Sequence, residues 1–530
     1  MFNPGEGLVF VGLPGSGKTT MGQSFASLLN KSFIDTDQII ARRAGMSVAE
    51  YFRLHGEAAF RLVEHEVIEE ACADSGAVIA TGGGALNDPL NRWRLWLHGR
   101  VVRLEAPEEI LLARLAADSV IRPLLQTADP LARLRELAAE REPFYRAADV
   151  TVAADMSVPQ LIEQILTSLA QPLLSGRRLF DALEPRHHPI GPPSARIVYG
   201  HDLQALVSSA LSEIGGVPSL VYDRNIGQSN FVPNDARQLA LTGGESIKTM
   251  QSLEDILAWL SDNAAERRDP VVSIGGGTIG DLVGMAAALY SRGVPYMALP
   301  TTWLAQLDAA LGGKAAVDLN QAKNKVGAFW PAWAVFNDMA FLRRLPMSHR
   351  RDGMAEALKA GLIGDPDLWQ LIGERGVAAL KQDEMARYAI TELAARVKLN
   401  IVRRDPFDEG ERQQLNLGHT VAHGLEAVSN YQLSHGNAVA LGLRAAAELA
   451  RRRGGDTDLG ESLDEQLRTL GFQLHYSFDA GAVREAIGTD KKRKSGLQHW
   501  LLPMTIGKVV EVNDITDDEL AAALAVITKA

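Results

Sequence analysis

The chain has 530 residues, 46% of them hydrophobic and 22% charged, and its formal net charge is −11. This length predicts more than one domain, each with its own core, and the acidic balance argues against nucleic acid or an anionic membrane as a partner. The one cysteine, Cys72, excludes an internal disulfide and a multi-cysteine zinc site. Because neither a signal-like start nor an apolar run near the ~20 residues of a membrane span occurs, we expect a cytoplasmic protein.

Short apolar strands alternate with longer helical patterns over residues 1–170, which is the rhythm of a parallel α/β domain. The first strand runs into GLPGSGKT, Gly12 to Thr19, which matches the pattern G-x-x-x-x-G-K-[ST]. Glycines let backbone N–H groups surround a phosphate, Lys18 brings charge to the β- and γ-phosphates, and the Thr19 hydroxyl can ligate Mg²⁺. This loop therefore predicts a phosphoryl-transfer site.

Further polar residues follow along the same segment. Asp35 and Asp37, in DTD, would share one face of a strand, where one could serve Mg²⁺ and the other hold or deprotonate a hydroxyl. An exposed acidic turn explains this tripeptide alone equally well. Arg61 in GEAAFRLVE is predicted on a helix, and TGGGAL gives a second close approach of the backbone. Arg122 in SVIRPLL lies in a region that could form a lid, and EREPFYRAAD contains Arg141.

These motifs stand in the order found in shikimate kinase, which residues 1–172 resemble over essentially their whole length. The resemblance implies a P-loop kinase fold and transfer of phosphate from ATP to shikimate, giving shikimate 3-phosphate. Lys18, Asp37 and Arg122 would be catalytic, and Thr19 and Asp35 would bind Mg²⁺. Shikimate would contact Asp37, Arg61, Gly83 and Arg141. ATP would contact Gly15, Ser16, Gly17, Lys18, Thr19, Thr20 and Arg122. Another small-metabolite kinase of similar fold, such as gluconate kinase, is the alternative.

The next segment, residues 171–200, holds five prolines among Gly and Ser and lacks sustained periodicity. We interpret residues 173–194 as a linker, in which His187 and His188 would be solvated. A second α/β rhythm covers residues 195–345, and the pattern from 346 to 530 is mostly helical, with β-type segments near 498–511.

A glycine-rich turn marks the second α/β segment. VVSIGGGTIGD combines a strand, the triad Gly275, Gly277 and Gly280, and a helical pattern, as expected for a turn that binds pyrophosphate. The acidic residue usual about 20 positions later is missing, so that Asp223 and Asn225, ahead of the glycines, are the candidates for the ribose hydroxyls. Other polar groups at apparent strand ends are Glu245, Lys248, Thr301 and Thr302.

Three histidines in LNLGHTVAHGLEAVSNYQLSHGN suggest a metal site. His419 and His423 are four apart and would share a helix face, as in H-E-x-x-H proteases, but Thr420 stands where those enzymes carry their glutamate. Spacing alone thus favours His419 and His423 as the ligands, although the protease match fails, and His435 follows a turn-like stretch.

A carboxylate and a lysine occur together within an apolar helical pattern, RDGMAEALKAGL. Glu356 would be costly to bury there unless paired or metal-bound, which makes it a candidate ligand, and Lys359 shares its helix face. Polar residues around glycines in the segment LDAALGGKAAVDLNQAKNKVGAF are Asp308, Lys314, Lys323 and Asn324. Lysines near a phosphate-bearing substrate are expected chemistry, although exposed lysines are the default.

From about residue 195 to the end, the chain closely resembles 3-dehydroquinate synthase, through GGGTIGD, LPTT, GGK, GMAE..K, LN.GH...H, HG and DKK in the family's order. The resemblance implies a Rossmann-like NAD-binding subdomain, 195–345, and a helical metal-binding subdomain, 346–530. It implies Glu356, His419 and His435 as ligands of Zn²⁺, or of another divalent ion such as Co²⁺. The implied substrate is 3-deoxy-arabino-heptulosonate 7-phosphate, which loses phosphate and closes to 3-dehydroquinate while NAD⁺ is regenerated.

The resemblance also assigns residues around the cofactor and the substrate. NAD would contact Asp223, Asn225, Glu245, Lys248, Gly277, Thr278, Ile279, Gly280, Asp281, Thr301, Thr302, Asp308, Lys314 and Lys323. The catalytic residues would be Lys314, Lys398, Arg412, Asn416 and His423. Other implied substrate contacts are Asn324, Lys359, and Lys491 or Lys492. The resemblance also implies that Arg292 reaches the substrate phosphate, across the subunit boundary of a homodimer formed by this half.

One residue departs from the family pattern, because Arg344 in FLRRLP stands where the family usually has a cofactor-contacting threonine. Related sugar-phosphate cyclases and glycerol-dehydrogenase-like enzymes share the implied architecture and are the alternatives for this half. A catalytically inactive binding module is a further alternative for either half.

Overall fold

The computed structural model describes residues 6–117, 129–170, 177–182, 195–226, 231, 233, 235–320, 322–430, 432–489, 493–494 and 497–529. Packing divides the chain into two compact units, Met1–Leu179 and Phe180–Ala530. Both are built on parallel sheets, which confirms the predicted α/β class. No helix in these ranges is long and apolar enough to cross a bilayer.

The first unit contains a parallel sheet with helices. Its strands are β1 (Gly7–Val11), β2 (Phe33–Asp35), β3 (Val78–Ala80), β4 (Gly99–Glu105) and β5 (Val150–Ala153), in the order β2-β3-β1-β4-β5. Its helices are α1 (Lys18–Leu29), α2 (Thr36–Ala44), α3 (Val48–Ala73), α4 (Pro89–His98), α5 (Glu108–Ala117), α6 (Pro130–Tyr145) and α7 (Val158–Leu169).

The core of this unit explains the strand positions. All of β1 is buried, and its Leu8 and Phe10 pack with Phe25 of α1 and Ile165 of α7. Parallel strands buried on both faces read as continuous apolar runs, and their carboxyl ends meet at one edge where ligands bind. The glycine loop after β1 and the TGGG turn after β3 therefore lie at the same edge.

One local prediction for this unit is wrong. Asp35 and Asp37 do not share a strand face, because β2 ends at Asp35, whose side chain caps α2 by accepting a hydrogen bond from the N–H of Gln38 at 3.1 Å. Asp37 lies in the first turn of α2. Because aspartate is a preferred N-cap residue, α2 begins directly after Asp35, and the strand ends earlier than the apolar pattern indicated.

The second unit contains a sheet in the order β6-β7-β14-β11-β10-β8-β9, in which the strands from β7 to β9 of this order pair in parallel. Its strands are β6 (Arg177–Ala182), β7 (Ala195–Gly200), β8 (Ser219–Asp223), β9 (Arg237–Leu241), β10 (Val271–Gly275), β11 (Tyr296–Pro300) and β14 (Ala334–Asp338), and the hairpin strands outside it are β12 (Lys314–Leu319) and β13 (Ala322–Phe329). The helices here are α8 (Gln204–Ile214), α9 (Met250–Asp262) and α10 (Gly277–Leu289).

Two of these features were not predicted. The strand β6 lies inside the segment interpreted as linker, and its residues Arg177 to Leu179 fall before the division between the units. The hairpin β12–β13 packs on α10, where the sequence showed only polar residues among glycines. The remaining strands begin and end close to the apolar runs that predicted them.

The rest of the unit is mostly helical, as predicted. Its helices are α11 (Met347–Gly364), α12 (Pro366–Lys381), α13 (Glu384–Arg404), α14 (His419–Val428), α15 (His435–Arg452), α16 (Leu459–Thr469), α17 (Ala480–Thr489) and α18 (Asp517–Ala525). Its short strands are β15 (Arg493–Lys494), β16 (Leu497–Gln498), β17 (Trp500–Thr505) and β18 (Lys508–Val512). Because α11 packs against α13 and α15, and α15 also packs against α14, residues 353–363 of α11 are buried throughout.

Candidate active sites

The loop after β1 has the form of a phosphate-binding loop. Gly15 and Gly17 have φ of 82° and 93°, conformations that favour glycine, and Gly17 precedes the first residue of α1. The ammonium of Lys18 donates to the carbonyls of Gly12 (2.9 Å) and Leu13 (3.0 Å). The positive end of α1 and the Lys18 charge therefore lie at one loop, the arrangement that binds phosphate. Ser16 is buried here, and Thr20 is exposed on α1.

A magnesium ion would fit next to this loop. The Thr19 hydroxyl donates to Asp35 Oδ2 at 2.7 Å, which brings together the two residues predicted to bind Mg²⁺. Hydroxyl and carboxylate oxygens are the hard ligands that Mg²⁺ prefers, and it usually adds phosphate oxygens and water.

The predicted shikimate residues converge on the turn Gly82–Gly84 after β3. A Cβ atom at Gly82 would lie 2.7 Å from Asp37 Oδ1, one at Gly83 would lie 3.0 Å from Arg141 Nη1, and one at Gly84 would lie 2.5 Å from Arg61 Nη2. The three glycines thus let a carboxylate and two guanidinium groups approach the backbone closely. The predicted lid residue Arg122 lies outside the described residues.

Glu64 is a site residue that sequence reasoning missed. It lies one turn after Arg61 on α3 with its carboxylate fully buried, and it accepts a hydrogen bond from Arg61 Nη1 at 2.6 Å. Burial raises the pKa of Glu64 to about 7 although Arg61 opposes the shift. The i,i+3 spacing in FRLVE was the available signal. The ion pair between Glu64 and Arg61 therefore holds the Arg61 guanidinium at the turn Gly82–Gly84.

A cavity of about 920 Å³ opens beside the glycine turn of the second unit, where β10 ends and α10 begins. Among the residues predicted to contact NAD, those lining it are Asp223, Asn225, Glu245, Gly277, Thr278, Ile279, Thr301 and Thr302. A cavity of this volume accommodates a large cofactor. Arg344 also lines this cavity and is exposed. Within the described residues its side chain forms no hydrogen bond or ion pair.

Other predicted cofactor residues lie around this cavity without lining it. Lys248 is buried and pairs with Asp281 at 2.6 Å. Gly280, Asp281 and Lys314 border a smaller space behind the glycine turn, and Lys314 also pairs with Asp408 at 2.6 Å. Lys323 lies 3.4 Å from Glu245 of the cavity wall.

Glu356, His419 and His435 form what we call the metal cluster. One potential ligand atom from each lies within 4.8 Å of the others, and Glu356 Oε1 is 2.9 Å from His435 Nε2 and 3.3 Å from His419 Nε2. The Nδ1 atoms have other partners, since His419 Nδ1 is 3.1 Å from the Leu417 carbonyl and His435 Nδ1 is 3.0 Å from Glu426 Oε1. Both Nε2 atoms are thereby oriented to one point with the carboxylate, and the cluster fits a divalent metal such as Zn²⁺.

Burial sets the electrostatics of this cluster. It opposes ionisation of Glu356, but the neighbouring Lys359 outweighs it and holds the pKa of Glu356 well below its usual range. Burial lowers the pKa of His419 to about 4, whereas the carboxylates of Glu356 and Glu426 overcome burial and raise the pKa of His435 to about 10. A metal ion would therefore displace a proton from His435 and none from His419. Lys359 forms an ion pair with Glu356 on the same helix, as the sequence suggested.

Among the described residues, the group of potential ligand atoms within 4.8 Å of one another contains Glu356, His419 and His435, and His423 is not part of it. The ring of His423, one turn after His419 on α14, is as close to that of His419 (5.5 Å between centroids) as the ring of His435 is (5.6 Å). Only His435 also has a ring nitrogen beside Glu356 Oε1, which comes from α11. Glu426 is a further residue that sequence reasoning missed, although its position seven residues after His419 placed it on the same face of α14.

Several basic residues predicted around the substrate lie near the metal cluster. Asp308, in a π-helical turn spanning Ala305–Ala309, pairs with Lys398 at 2.6 Å. Lys398 and Lys359 together lower the pKa of Asp308 against its burial. Arg412 is buried, and its guanidinium donates to the carbonyls of Gly312 (2.8 Å) and Pro406 (2.6 Å).

The remaining predicted substrate contacts are more exposed. Asn416 ends the 3-10 turn that precedes α14 and is half-buried, and Asn324 is exposed on β13. Arg292 is exposed on a turn where its φ is 62°. Lys491 and Lys492 lie outside the described residues.

Sequence comparison assigns the two units to known families. The pattern of the shikimate kinase family matches residues 14–170, and those of the N-terminal and C-terminal parts of 3-dehydroquinate synthase match residues 238–352 and 353–493. The bifunctional shikimate kinase/3-dehydroquinate synthase of Thermotoga maritima is 31% identical over 427 residues, which cover 79% of this chain and 80% of that protein.

Two other similar proteins are valiolone synthases. The 2-epi-valiolone synthase of Actinosynnema mirum is 33% identical over 341 residues, which cover 61% of this chain and 89% of that protein. The structure of ValA, a 2-epi-5-epi-valiolone synthase from Streptomyces hygroscopicus with NAD⁺ and Zn²⁺ bound, matches with a TM-score of 0.59 at 27% identity, covering 64% of this chain and 98% of its own. Because the kinase and synthase patterns stand in one chain and a bifunctional relative covers most of it, the chain belongs to the bifunctional shikimate kinase/3-dehydroquinate synthase family.

Proposed function

We propose that the chain phosphorylates shikimate with ATP in its first unit and converts 3-deoxy-arabino-heptulosonate 7-phosphate to 3-dehydroquinate in its second. The observation that supports the kinase substrate is the convergence of Asp37, Arg61 and Arg141 on the turn Gly82–Gly84. Two guanidinium groups suit a carboxylate, and Asp37 suits a hydroxyl whose proton it can accept.

The phosphate donor would bind at the loop after β1. Backbone N–H groups from Gly15 to Thr20 would surround the phosphates, and Lys18 would leave the Gly12 and Leu13 carbonyls to meet the β- and γ-phosphates. A magnesium ion held by Thr19 and Asp35 would neutralise charge on the transferring group. We place Arg122 over that group on the family resemblance alone.

At the synthase site, the metal cluster supports the proposal. One carboxylate oxygen and two imidazole nitrogens leave coordination positions open, as in catalytic zinc sites. Bound NAD⁺ would take up and return a hydride, and Zn²⁺ would polarise the carbinol oxygen. The cavity lined by Thr278 and Thr301 would hold the cofactor.

The chain's own charged groups would bind and orient the acidic substrate. Lys359 is buried beside Glu356, and the Lys398 side chain, 12% exposed, pairs with Asp308, so both ammonium groups are held in place with little contact with water. A fixed cation in such a place attracts a phosphate or carboxylate more strongly than one in water. His423, one turn from the metal cluster, is proposed to exchange a proton with the substrate.

An assay of the intact chain tests both activities. With ATP and shikimate, ADP and shikimate 3-phosphate should form in equal amounts. With the heptulosonate phosphate, NAD⁺ and Zn²⁺, dehydroquinate should accumulate without net NADH, because the hydride returns within one turnover. Stoichiometric NADH would indicate a simple dehydrogenase instead. Turnover of a sugar phosphate that lacks the carboxylate, in preference to the heptulosonate, would favour another cyclase activity.

We further propose a cytoplasmic homodimer that associates through the synthase half. The requirement for ATP and NAD⁺ supports the location, and exposed Arg292, assigned to a substrate phosphate by the family resemblance, supports a contribution across a subunit boundary. Light scattering coupled to size-exclusion chromatography should give about twice the chain's mass of 57.3 kDa. A monomer with full synthase turnover would exclude the dimer.

A further inference from the structure

Glu426 contacts the metal cluster on one side and a lysine on the other. Its Oε1 is 3.0 Å from His435 Nδ1, and its Oε2 is 3.5 Å from Lys323 Nζ. The Glu426 side chain is 5% exposed, so a buried carboxylate stands between two basic groups. A buried carboxylate is costly unless its partners are fixed, so these two contacts define its place.

The contact with His435 fixes which ring nitrogen faces the metal cluster. A carboxylate can only accept, so His435 Nδ1 must carry the hydrogen and donate it. By the same rule His435 Nε2, 2.9 Å from Glu356 Oε1, donates to that carboxylate, so it is the nitrogen that must lose its hydrogen when a metal binds. The other histidine of the metal cluster, His419, has its Nδ1 beside the backbone carbonyl of Leu417, a contact that a side-chain substitution cannot remove.

The contact with Lys323 extends toward the cofactor cavity. Lys323 Nζ is 3.4 Å from Glu245 Oε1, and Glu245 Oε2 accepts from the Thr278 hydroxyl at 3.2 Å. Glu245 and Thr278 both line the cavity assigned to NAD. A continuous run of polar contacts therefore joins the cavity wall to His435, in the order Thr278, Glu245, Lys323, Glu426.

We infer that Glu426 is a positioning residue, which holds the His435 imidazole for the metal and, through Lys323, couples metal binding to cofactor binding. This inference rests on the proposed metal site. Outer carboxylates that hold a ligating histidine typically change metal affinity by about 10- to 100-fold when they are removed. Coupling between two sites must be reciprocal, so NAD⁺ should change zinc affinity by the factor with which zinc changes NAD⁺ affinity.

The experiment measures zinc affinity of the full chain by competition with a fluorescent chelator, with and without saturating NAD⁺. In Glu426→Ala, zinc should bind about 10- to 100-fold more weakly. Glu426→Gln should stay within about fivefold of wild type, because its amide oxygen still accepts from Nδ1. Rescue by the isosteric variant separates positioning of His435 from a general loss of packing.

The same titrations test the coupling. In wild type, NAD⁺ should change the zinc dissociation constant by about fivefold or more, the usual range of coupling between sites. Glu426→Gln and Lys323→Met should each reduce this factor to about twofold or less, because each removes the charge attraction between residues 426 and 323. Glu448→Gln, on α15 about 20 Å beyond His435 along the helix, is the control and should match wild type in both titrations.

The outcomes are distinguishable. Wild type without zinc binding would overturn the proposed metal site itself. Zinc bound to Glu426→Ala within twofold of wild type would overturn the positioning of His435. Coupling that is absent in wild type, or retained in full by Glu426→Gln, would overturn the link through Lys323. Circular dichroism confirms folding, and if Glu426→Ala does not fold, the isosteric Glu426→Gln and Lys323→Met titrations decide the inference.

Discussion

A methyl group at Gly82 should move Asp37 away from the shikimate site. The Cβ of Gly82→Ala would lie 2.7 Å from Asp37 Oδ1 and 2.8 Å from Glu64 Oε1. An ordinary contact is about 3.5 Å, so the Asp37 oxygen must retreat by roughly 0.5–0.8 Å. Because Glu64 is fully buried, it has little room to give way, and Asp37 should take most of the shift.

This displacement converts into a loss of rate. A misplacement of about 1 Å in a catalytic geometry can cost 10²-fold, so we expect kcat/KM for shikimate to fall by about 10- to 50-fold. That factor corresponds to about 1.4–2.3 kcal/mol of transition-state stabilisation. Release of ADP, measured with a coupled assay over a range of shikimate concentrations, gives the value, and the synthase activity of the same chain should be unchanged.

Gly45→Ala is the matched control for stability. Gly45 has φ of 65°, and no atom lies within 4 Å of an added Cβ. The left-handed conformation should cost alanine about 1–2 kcal/mol without moving the site. Thermal melting should show the lower stability, while kcat/KM for shikimate stays near wild type. A folded Gly82→Ala chain with wild-type kcat/KM, or a Gly45→Ala chain with an equal loss, would refute the reasoning.

Four further predictions concern the other parts of the chain. Lys18→Ala should lower kinase activity by about 10²-fold or more and leave the synthase intact, because it removes only the charge at the phosphates; an equal loss of both, in a folded chain, would contradict independent sites. Alanine at any residue of the metal cluster should abolish synthase turnover and greatly reduce the zinc content measured by elemental analysis, whereas His423→Ala should keep zinc and lose turnover. If His423→Ala loses zinc and His435→Ala keeps it, the ligands are instead the helical pair His419 and His423. Arg344→Ala should weaken NAD⁺ binding by about two- to fivefold in calorimetry, since an exposed cation contributes up to ~1 kcal/mol toward an anionic cofactor, and unchanged affinity would place Arg344 outside the contact. Fragments 1–172 and 178–530 should each fold and retain one activity, and two folded but inactive fragments would show that the units depend on each other.

Residues tied to local backbone patterns could be predicted from the sequence. The loop around Lys18 lies between a strand and a helix, and its glycines allow the turn whose backbone N–H groups can surround a phosphate. Arg61 and Lys359 lie on helices as their apolar spacing indicated. In such cases a few neighbouring residues determine both the conformation and the chemistry.

Contacts between distant segments could not be derived in this way. Glu356 and His435 are 79 residues apart, and only the packing of α11 against α15 brings them to 2.9 Å. Spacing favoured His423 because helical periodicity relates residues on one helix, here α14, and carries no information on residues of other helices, such as His435 on α15. The family resemblance supplied His435, and neither source indicated Glu426, because its partners His435 and Lys323 come from other elements.

The pairing of charges around the metal cluster also bears on the order in which the chain matures. Lys359 neutralises Glu356 from the same helix, and Glu426 bonds His435 from the neighbouring one, so each buried polar group has a protein partner. The helices can therefore close around the cluster without an ion, unlike a zinc finger, which is unfolded until the metal arrives. We expect the nascent chain to fold first and to acquire its metal afterwards, so that a cell short of zinc would accumulate folded, inactive synthase beside a working kinase.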